Sequence, residues 1–234
     1  MATTLYLIRH GETEGSETKR YKGSIDVPMS ERGVEQIKET SLFIRNMIQD
    51  SVSSGGSQGR GFRIQDKKNN EFYILHQAAS KLSAVYCSPL SRALKSAEII
   101  AESNGLKPIV IEDLRERSFG VWEGMTFTEI KEKYPQEFEA WAGNPLRFSP
   151  VDGESTIEVR ERAVKAVDSL LSNHNSGHIA IVAHGGVNRI ILCHTMGMPL
   201  ENIFRIEQDF GAVNIIEFWE KYPVVKLING GFIG

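Results

Sequence analysis

Two hydrophobic periods alternate along the chain. "TTLYLI" (Thr3–Ile8) is a short apolar run rich in β-branched and aromatic residues, the composition of a buried strand. From Ser30 the period lengthens. "SERGVEQIKETSLFIRNMI" predicts a helix with Val34, Ile37, Ile44 and Ile48 on one side and Leu42 one step off the ideal register. Over residues 51–75 the periodicity is lost in Gly, Ser, Asn and Lys, and the segment reads as an inserted, flexible loop. Gly55, Gly56, Gly59 and Gly61 have no strand before them, so they read as linker rather than phosphate-binding loop.

The alternation then resumes. "SAVYC" predicts a second strand and "SPLSRALKSAEIIAESNG" a helix, with Ser88 as N-cap, Pro89 at the first helical position and Gly105 as stop. Leu90, Ala93, Leu94, Ala97, Ile100 and Ala101 form its apolar stripe. "PIVIEDL" predicts a third strand, and residues 125–150 a helical segment with aromatic anchors, interrupted at Pro135. A helix over "STIEVRERAVKAVDSLLSNH", a strand "HIAIVA", a helix "GVNRIILCHTMG" and a closing pair of strands complete the chain. Strands alternating with helices predict an α/β fold: a doubly wound, mostly parallel sheet flanked by helices. One domain is expected over residues 1–234, with 125–150 as a small helical cap over the site.

Composition narrows the partners. The chain has 234 residues, 41% hydrophobic and 24% charged, with 27 basic against 30 acidic residues and a net charge of −3. It has no long basic block, so nucleic acid is a poor partner. No apolar run reaches membrane-spanning length, and the N-terminus has no basic region or cleavage site of a signal peptide. Cys87 and Cys193 sit in apolar surroundings, which suits reduced thiols. A cytoplasmic protein is expected; its oligomeric state is open, a homo-oligomer included.

In an open α/β sheet, ligands bind beyond the carboxyl ends of the strands. Arg9 and His10 follow the first predicted strand. Ser88 and, one turn later, Arg92 follow the second. Glu112, Asp113 and Glu116 follow the third, and His184, Gly185 and Gly186 the fourth. Two arginines, two histidines and a carboxyl group at one edge suit a phosphoryl group. Guanidinium forks match its oxygens, an imidazole nitrogen can attack phosphorus, and a carboxylic acid can protonate the departing alkoxide.

These residues sit in motifs that resemble the histidine phosphatase superfamily, the phosphoglycerate-mutase-like enzymes. The motifs are "RHGET" at 9–13, "YKGSIDVPMSERG" at 21–33, "CSPLSRALKSAE" at 87–98, "LRERSFGVWEG" at 114–124, "DGES" at 152–155 and "AHGG" at 183–186. The resemblance implies His10 as the phosphorylated nucleophile, Arg9, Arg92 and His184 as holders of the phosphoryl oxygens, and Glu116 as proton donor and then acceptor. It implies no metal and no cofactor, and a small phosphomonoester as partner. Gly11, Glu12, Thr13, Ser16, Lys22, Gly23 and Gly185 are expected to touch the substrate. Ser16 stands where the family commonly has asparagine.

In "CSPLSR" only four residues separate Cys87 from Arg92, one short of the loop of a cysteine-based phosphatase. A phosphate-binding regulator is expected to lack the nucleophile or the acid, and both are present. Within the family, "AHGG" and the 50 residues after His184 resemble phosphatases more than mutases. "FSPVDGES" and "GMPLENIFRIEQDFGAVNIIEF" resemble the α-ribazole phosphatase branch, which implies α-ribazole 5′-phosphate and cobalamin nucleotide-loop synthesis. Phosphoglycerate mutase, broad-specificity phosphatase and sugar bisphosphatase are the alternatives.

Overall fold

Strand β1 (Thr3–Arg9) sets the layering. Its residues Leu5 and Leu7 belong to one buried cluster, Tyr6 and Ile8 to another, and all four are almost wholly buried. Such a strand needs cover on both faces. The computed structural model, which describes residues 2–54 and 81–231, supplies it. Helices α1 (Glu31–Ser54) and α2 (Ser91–Glu102) pack on the Tyr6/Ile8 face. The Leu5/Leu7 face is covered by two more helices, Thr156–Ser172 and Gly185–Met196.

Among the described residues the sheet has six strands in the order β3-β2-β4-β1-β5-β6. They are β2 (Leu82–Cys87), β3 (Ile109–Val110), β4 (Gly177–Ala183), β5 (Val213–Phe218) and β6 (Pro223–Gly230), beside β1. The first four in that order run parallel; β5 and β6 are antiparallel additions. The doubly wound, mostly parallel sheet expected from the alternation is therefore present.

Residues 125–150 fold as two short helices, α3 (Phe127–Lys133) and α4 (Pro135–Gly143). Thr126 and Glu129 close a reciprocal capping box on α3. Pro135 opens α4 at its first position, where a missing N–H costs nothing. Ile130 and Phe138 gather with Trp122 in a third cluster, away from the sheet. The two helices on the Leu5/Leu7 face follow as α5 (Thr156–Ser172) and α6 (Gly185–Met196).

Four local expectations fail for physical reasons. Ser88 does not cap α2, which starts at Ser91 with Leu90 at the cap; its hydroxyl serves the backbone N–H of Leu90 and His184 instead. Strand β3 is two residues long and exposed at the sheet edge, because Glu112–Leu114 tightens into a 3-10 turn that buries Leu114. Leu42 is 53% exposed. The buried stripe of α1 runs Ile37, Ser41, Ile44, Ile48, with Ser41 paired to the Ser103 hydroxyl at 2.8 Å. Finally, α1 continues through Ser54, so the expected insert begins as helix. The glycines at 55, 56, 59 and 61 lie outside the described residues.

Gly11 and Gly33 join the first loop to α1 backbone against backbone. A Cβ on Gly33 meets the Glu12 carbonyl oxygen at 2.1 Å, and one on Gly11 meets that of Gly33 at 2.3 Å. Gly33→Ala is expected to destabilise the fold by about 1–3 kcal/mol through overpacking. Gly143→Ala has nothing within 4 Å of the new carbon and is expected not to lower the melting temperature. Calorimetry of the two variants checks this; equal melting temperatures contradict it.

Candidate active site

The parallel pairing of β1 with β4 brings Arg9 level with Ala183. The next residues, His10 and His184, therefore emerge side by side. Their rings meet edge to face with centroids 5.1 Å apart. His10 is 6% exposed and His184 is fully buried. The His10 Nδ1 lies 2.7 Å from the Gly11 carbonyl oxygen. A carbonyl only accepts, so Nδ1 carries the proton and Nε2 keeps its lone pair. In His184, Nε2 meets the Ser88 hydroxyl at 2.8 Å, while Nδ1 is buried without a protein partner.

Burial, reinforced by the charges of Arg9 and Arg92, holds His10 well below its ordinary 6.5. Burial, then the neighbouring His10 and Arg92, does the same to His184. Both rings are neutral at pH 7. Below about pH 6.5 the unfolded chain binds protons at these histidines that the folded chain refuses, so stability falls with acidity. The urea midpoint is expected to drop between pH 7 and pH 5, and to drop less in His184→Asn. An unchanged pH slope in that variant contradicts the assignment.

The arginines are held by backbone carbonyls rather than by acids. Arg9 lies over the Phe210 ring at 3.8 Å and donates from Nη1 to the Gln208 carbonyl at 2.5 Å, leaving Nε buried and unpartnered. Burial lowers its pKa to about 10, so it stays charged at pH 7. Arg92 donates from Nη1 to Ile25 and from Nη2 to Gly23, at 2.8 and 2.7 Å. Lys22 donates to the Thr13 hydroxyl at 2.7 Å. The Glu116 carboxylate accepts from the Arg117 N–H at 2.9 Å and from the Gly186 N–H, in the first turn of α6, at 3.2 Å.

Two cavities meet here. A polar one of about 400 Å³ is lined by Arg9, His10, Thr13, Ser16, Lys22, Gly23, Arg92 and Glu116, with Lys19, Arg20, Tyr21, Phe119 and Phe210. The other, about 370 Å³, is mostly apolar and lies against α3, α4 and α6, with Phe127, Phe138, Trp141 and Gly185 in its wall. Arg9, Tyr21, Glu116 and Phe119 line both. Gly11 and Glu12 line neither. The Gly11 N–H donates to Ser96 and the Glu12 N–H to Gln36, so both fasten the loop. His184 also stays behind the walls and meets the site through His10.

The family model of the histidine phosphatase superfamily (branch 1) matches residues 5–56 and 74–230. The chain belongs to that superfamily. This histidine phosphatase is 27% identical over 227 residues to phosphoserine phosphatase 1 of Hydrogenobacter thermophilus, covering 96% of this chain and 91% of the relative. It is 25% identical over 230 residues to the adenosylcobalamin/alpha-ribazole phosphatase of Escherichia coli, covering 98% and 97%. The crystal structure of the alpha-ribazole phosphatase from Shigella flexneri has the same fold, with a TM-score of 0.76 at 24% identity over 99% of this chain and 98% of that one.

The phosphatase holds its carboxylate loop with residues that carry no motif signal. Arg162, on α5, donates to the carbonyls of Asp113, Arg115 and Glu116 and pairs with Glu154 at 2.8 Å. Glu154 in turn accepts from the Ser118 N–H. Arg117 ties the same loop to Glu154, Phe148 and Thr156. Behind Arg9, Gln208 and Asn214 exchange side-chain amide bonds, and Asn214 donates to the Leu7 carbonyl. Cys87 is buried and free, with burial pushing its thiol up to about 12; a thiol held protonated is a poor nucleophile. Among the described residues no cluster of His, Cys, Asp or Glu is placed to hold a metal ion, and no helix is long and apolar enough to cross a membrane.

Proposed function

We propose that this phosphatase hydrolyses phosphomonoesters through a phosphohistidine on His10, with α-ribazole 5′-phosphate as the type of ester it takes. One observation carries the reading: the polar and apolar cavities meet at Arg9 and Glu116. The phosphoryl group fits the polar side, the alcohol the apolar side, and the scissile bond then falls beside the carboxyl group.

In the first step His10 Nε2 attacks phosphorus and the P–O bond to the alcohol breaks. Glu116, entering as the carboxylic acid, gives its proton to the departing oxygen. Arg9 Nε, the Arg92 guanidinium and the Lys22 ammonium are the donors available to the phosphoryl oxygens, and His184 backs the His10 ring from behind the wall. In the second step the Glu116 carboxylate takes a proton from water, the water oxygen attacks phosphorus, and the P–N bond breaks. Inorganic phosphate leaves and His10 is neutral again.

The apolar cavity supports a planar base on the alcohol side, as in α-ribazole. Among the described residues its one acidic lining residue is Glu116. A panel of α-ribazole 5′-phosphate, phosphoserine, 3-phosphoglycerate with its bisphosphate, fructose 2,6-bisphosphate and p-nitrophenyl phosphate tests the reading. At least about tenfold higher kcat/KM for α-ribazole 5′-phosphate is expected, a difference of about 1.4 kcal/mol. Fast interconversion of 2- and 3-phosphoglycerate overturns hydrolysis as the main reaction.

A further inference from the structure

Two phenylalanines at the apolar cavity stay largely exposed. Phe127, the first residue of α3, is 48% exposed. Phe204, in the 3-10 turn Leu200–Arg205, is 78% exposed. Both line the cavity, and they reach it from separate parts of the chain. The Phe127 ring stands edge to face with Phe138 at 4.9 Å and with Trp141 at 6.0 Å, so its orientation is already set. Phe204 makes no ring contact with another aromatic among the described residues. Solvated rings at the wall of an apolar chamber lower their free energy by closing on an apolar ligand.

The charges of the chamber agree. Arg117 is committed to Glu154, Phe148 and Thr156. Arg189 donates its Nε to the Ile206 carbonyl at 2.7 Å and pairs with no carboxylate among the described residues. A guanidinium in that setting favours a π face or a hydrogen-bond acceptor over a cation. An ammonium group, as phosphoserine carries, finds no acid besides Glu116 among the described residues of the chamber.

We infer that Phe127 and Phe204 are specificity-determining residues that grip a planar aromatic group on the alcohol side of the phosphomonoester. Ring-bearing esters are thereby preferred over small polar ones. The inference rests on the proposed placement of the phosphoryl group in the polar cavity. Ring-to-ring contact adds to plain burial, which is why a flat aromatic group gains more here than an alkyl chain.

The test compares kcat/KM for 2-phenylethyl phosphate and ethyl phosphate, both primary alkyl esters, with phosphoserine alongside. The wild-type ratio of the first two is expected to favour the ring by about tenfold or more. Phe204→Ala and Phe127→Ala are each expected to cut that ratio several-fold to about tenfold, mainly through KM, and Phe204→Trp to keep it. Tyr222→Ala, at an exposed residue in the β5–β6 turn, is the control and leaves the ratio unchanged. A ratio unmoved in both phenylalanine variants, with turnover still dependent on His10, overturns this inference and leaves the proposed reaction standing. A ratio that falls while α-ribazole 5′-phosphate is rejected overturns that substrate and leaves the inference standing. No turnover of any ester by the wild type overturns both.

Discussion

His10→Ala is expected to lower kcat by about four orders of magnitude or more, the scale seen when a covalent nucleophile is removed from a preorganised site. The fold should survive the change. His10 is held by one short bond from its own Nδ1 to the Gly11 carbonyl and by ring contacts to His184 and Phe210, while the sheet around it is packed independently. The variant should also gain stability between pH 5 and pH 6.5, since it no longer refuses a proton there. Wild-type enzyme quenched during turnover of a labelled ester should carry acid-labile phosphate; His10→Ala should carry none. A label that persists in the variant, or turnover within tenfold of wild type, places the nucleophile elsewhere.

Glu116→Gln tests the other half of the reaction, and its effect should depend on the leaving group. Glutamine keeps the length of the side chain and one oxygen, enough to accept from one of the Arg117 and Gly186 N–H groups that meet different oxygens of the carboxylate, but it has no acidic proton to give. For an alkyl phosphate, whose alkoxide is strongly basic, kcat should fall by about 10²–10⁴. For p-nitrophenyl phosphate the phenolate leaves without help, so the first step should slow little. The second step still needs a base for water. Stopped-flow with that ester should therefore show a burst of nitrophenolate followed by slow turnover, with phosphate accumulating on His10. Equal losses on both esters with no burst would show that Glu116 is not the proton donor.

Much of the polar cavity was legible because its groups follow strands, and strands announce themselves through apolar runs. Arg9 and His10 are legible from "TTLYLI", and His184 from "HIAIVA". Strand β3 is only two residues long, yet the loop after it still brings the Glu116 carboxylate to the Gly186 N–H. Other features had no such signal. A serine directly before a proline at the head of a helical pattern has the signature of a cap, and only the tertiary approach of His184 shows that Ser88 serves an imidazole. Gly11 and Glu12 lie inside the most specific motif, yet they fasten backbone to α1 and α2. Arg162 sits on a charged helix face that reads as solvated, and its three carbonyl partners are 46 to 49 residues away in sequence. Leu42 failed because hydroxyl groups joined the buried stripe. Thr40 reaches the Gly211 carbonyl at 2.6 Å and so lies inward at no polar cost, a solution that apolar periodicity does not count.

The rings around the apolar cavity come from Tyr21, Phe119, Trp122, Phe127, Phe138, Trp141 and Phe204. None belongs to a strand or to the four helices that cover the sheet. On the proposed reading, the strand-borne His10 and most of the rings that would choose the alcohol come from different parts of the polypeptide and meet at Arg9, Tyr21, Glu116 and Phe119. On that reading, a change of ester calls for substitutions in those connections and leaves His10 and the two packed faces of the sheet in place. Grafting residues 125–150 and 200–205 from one such phosphatase onto another would exchange substrate preference while the phosphoenzyme stayed on the same histidine.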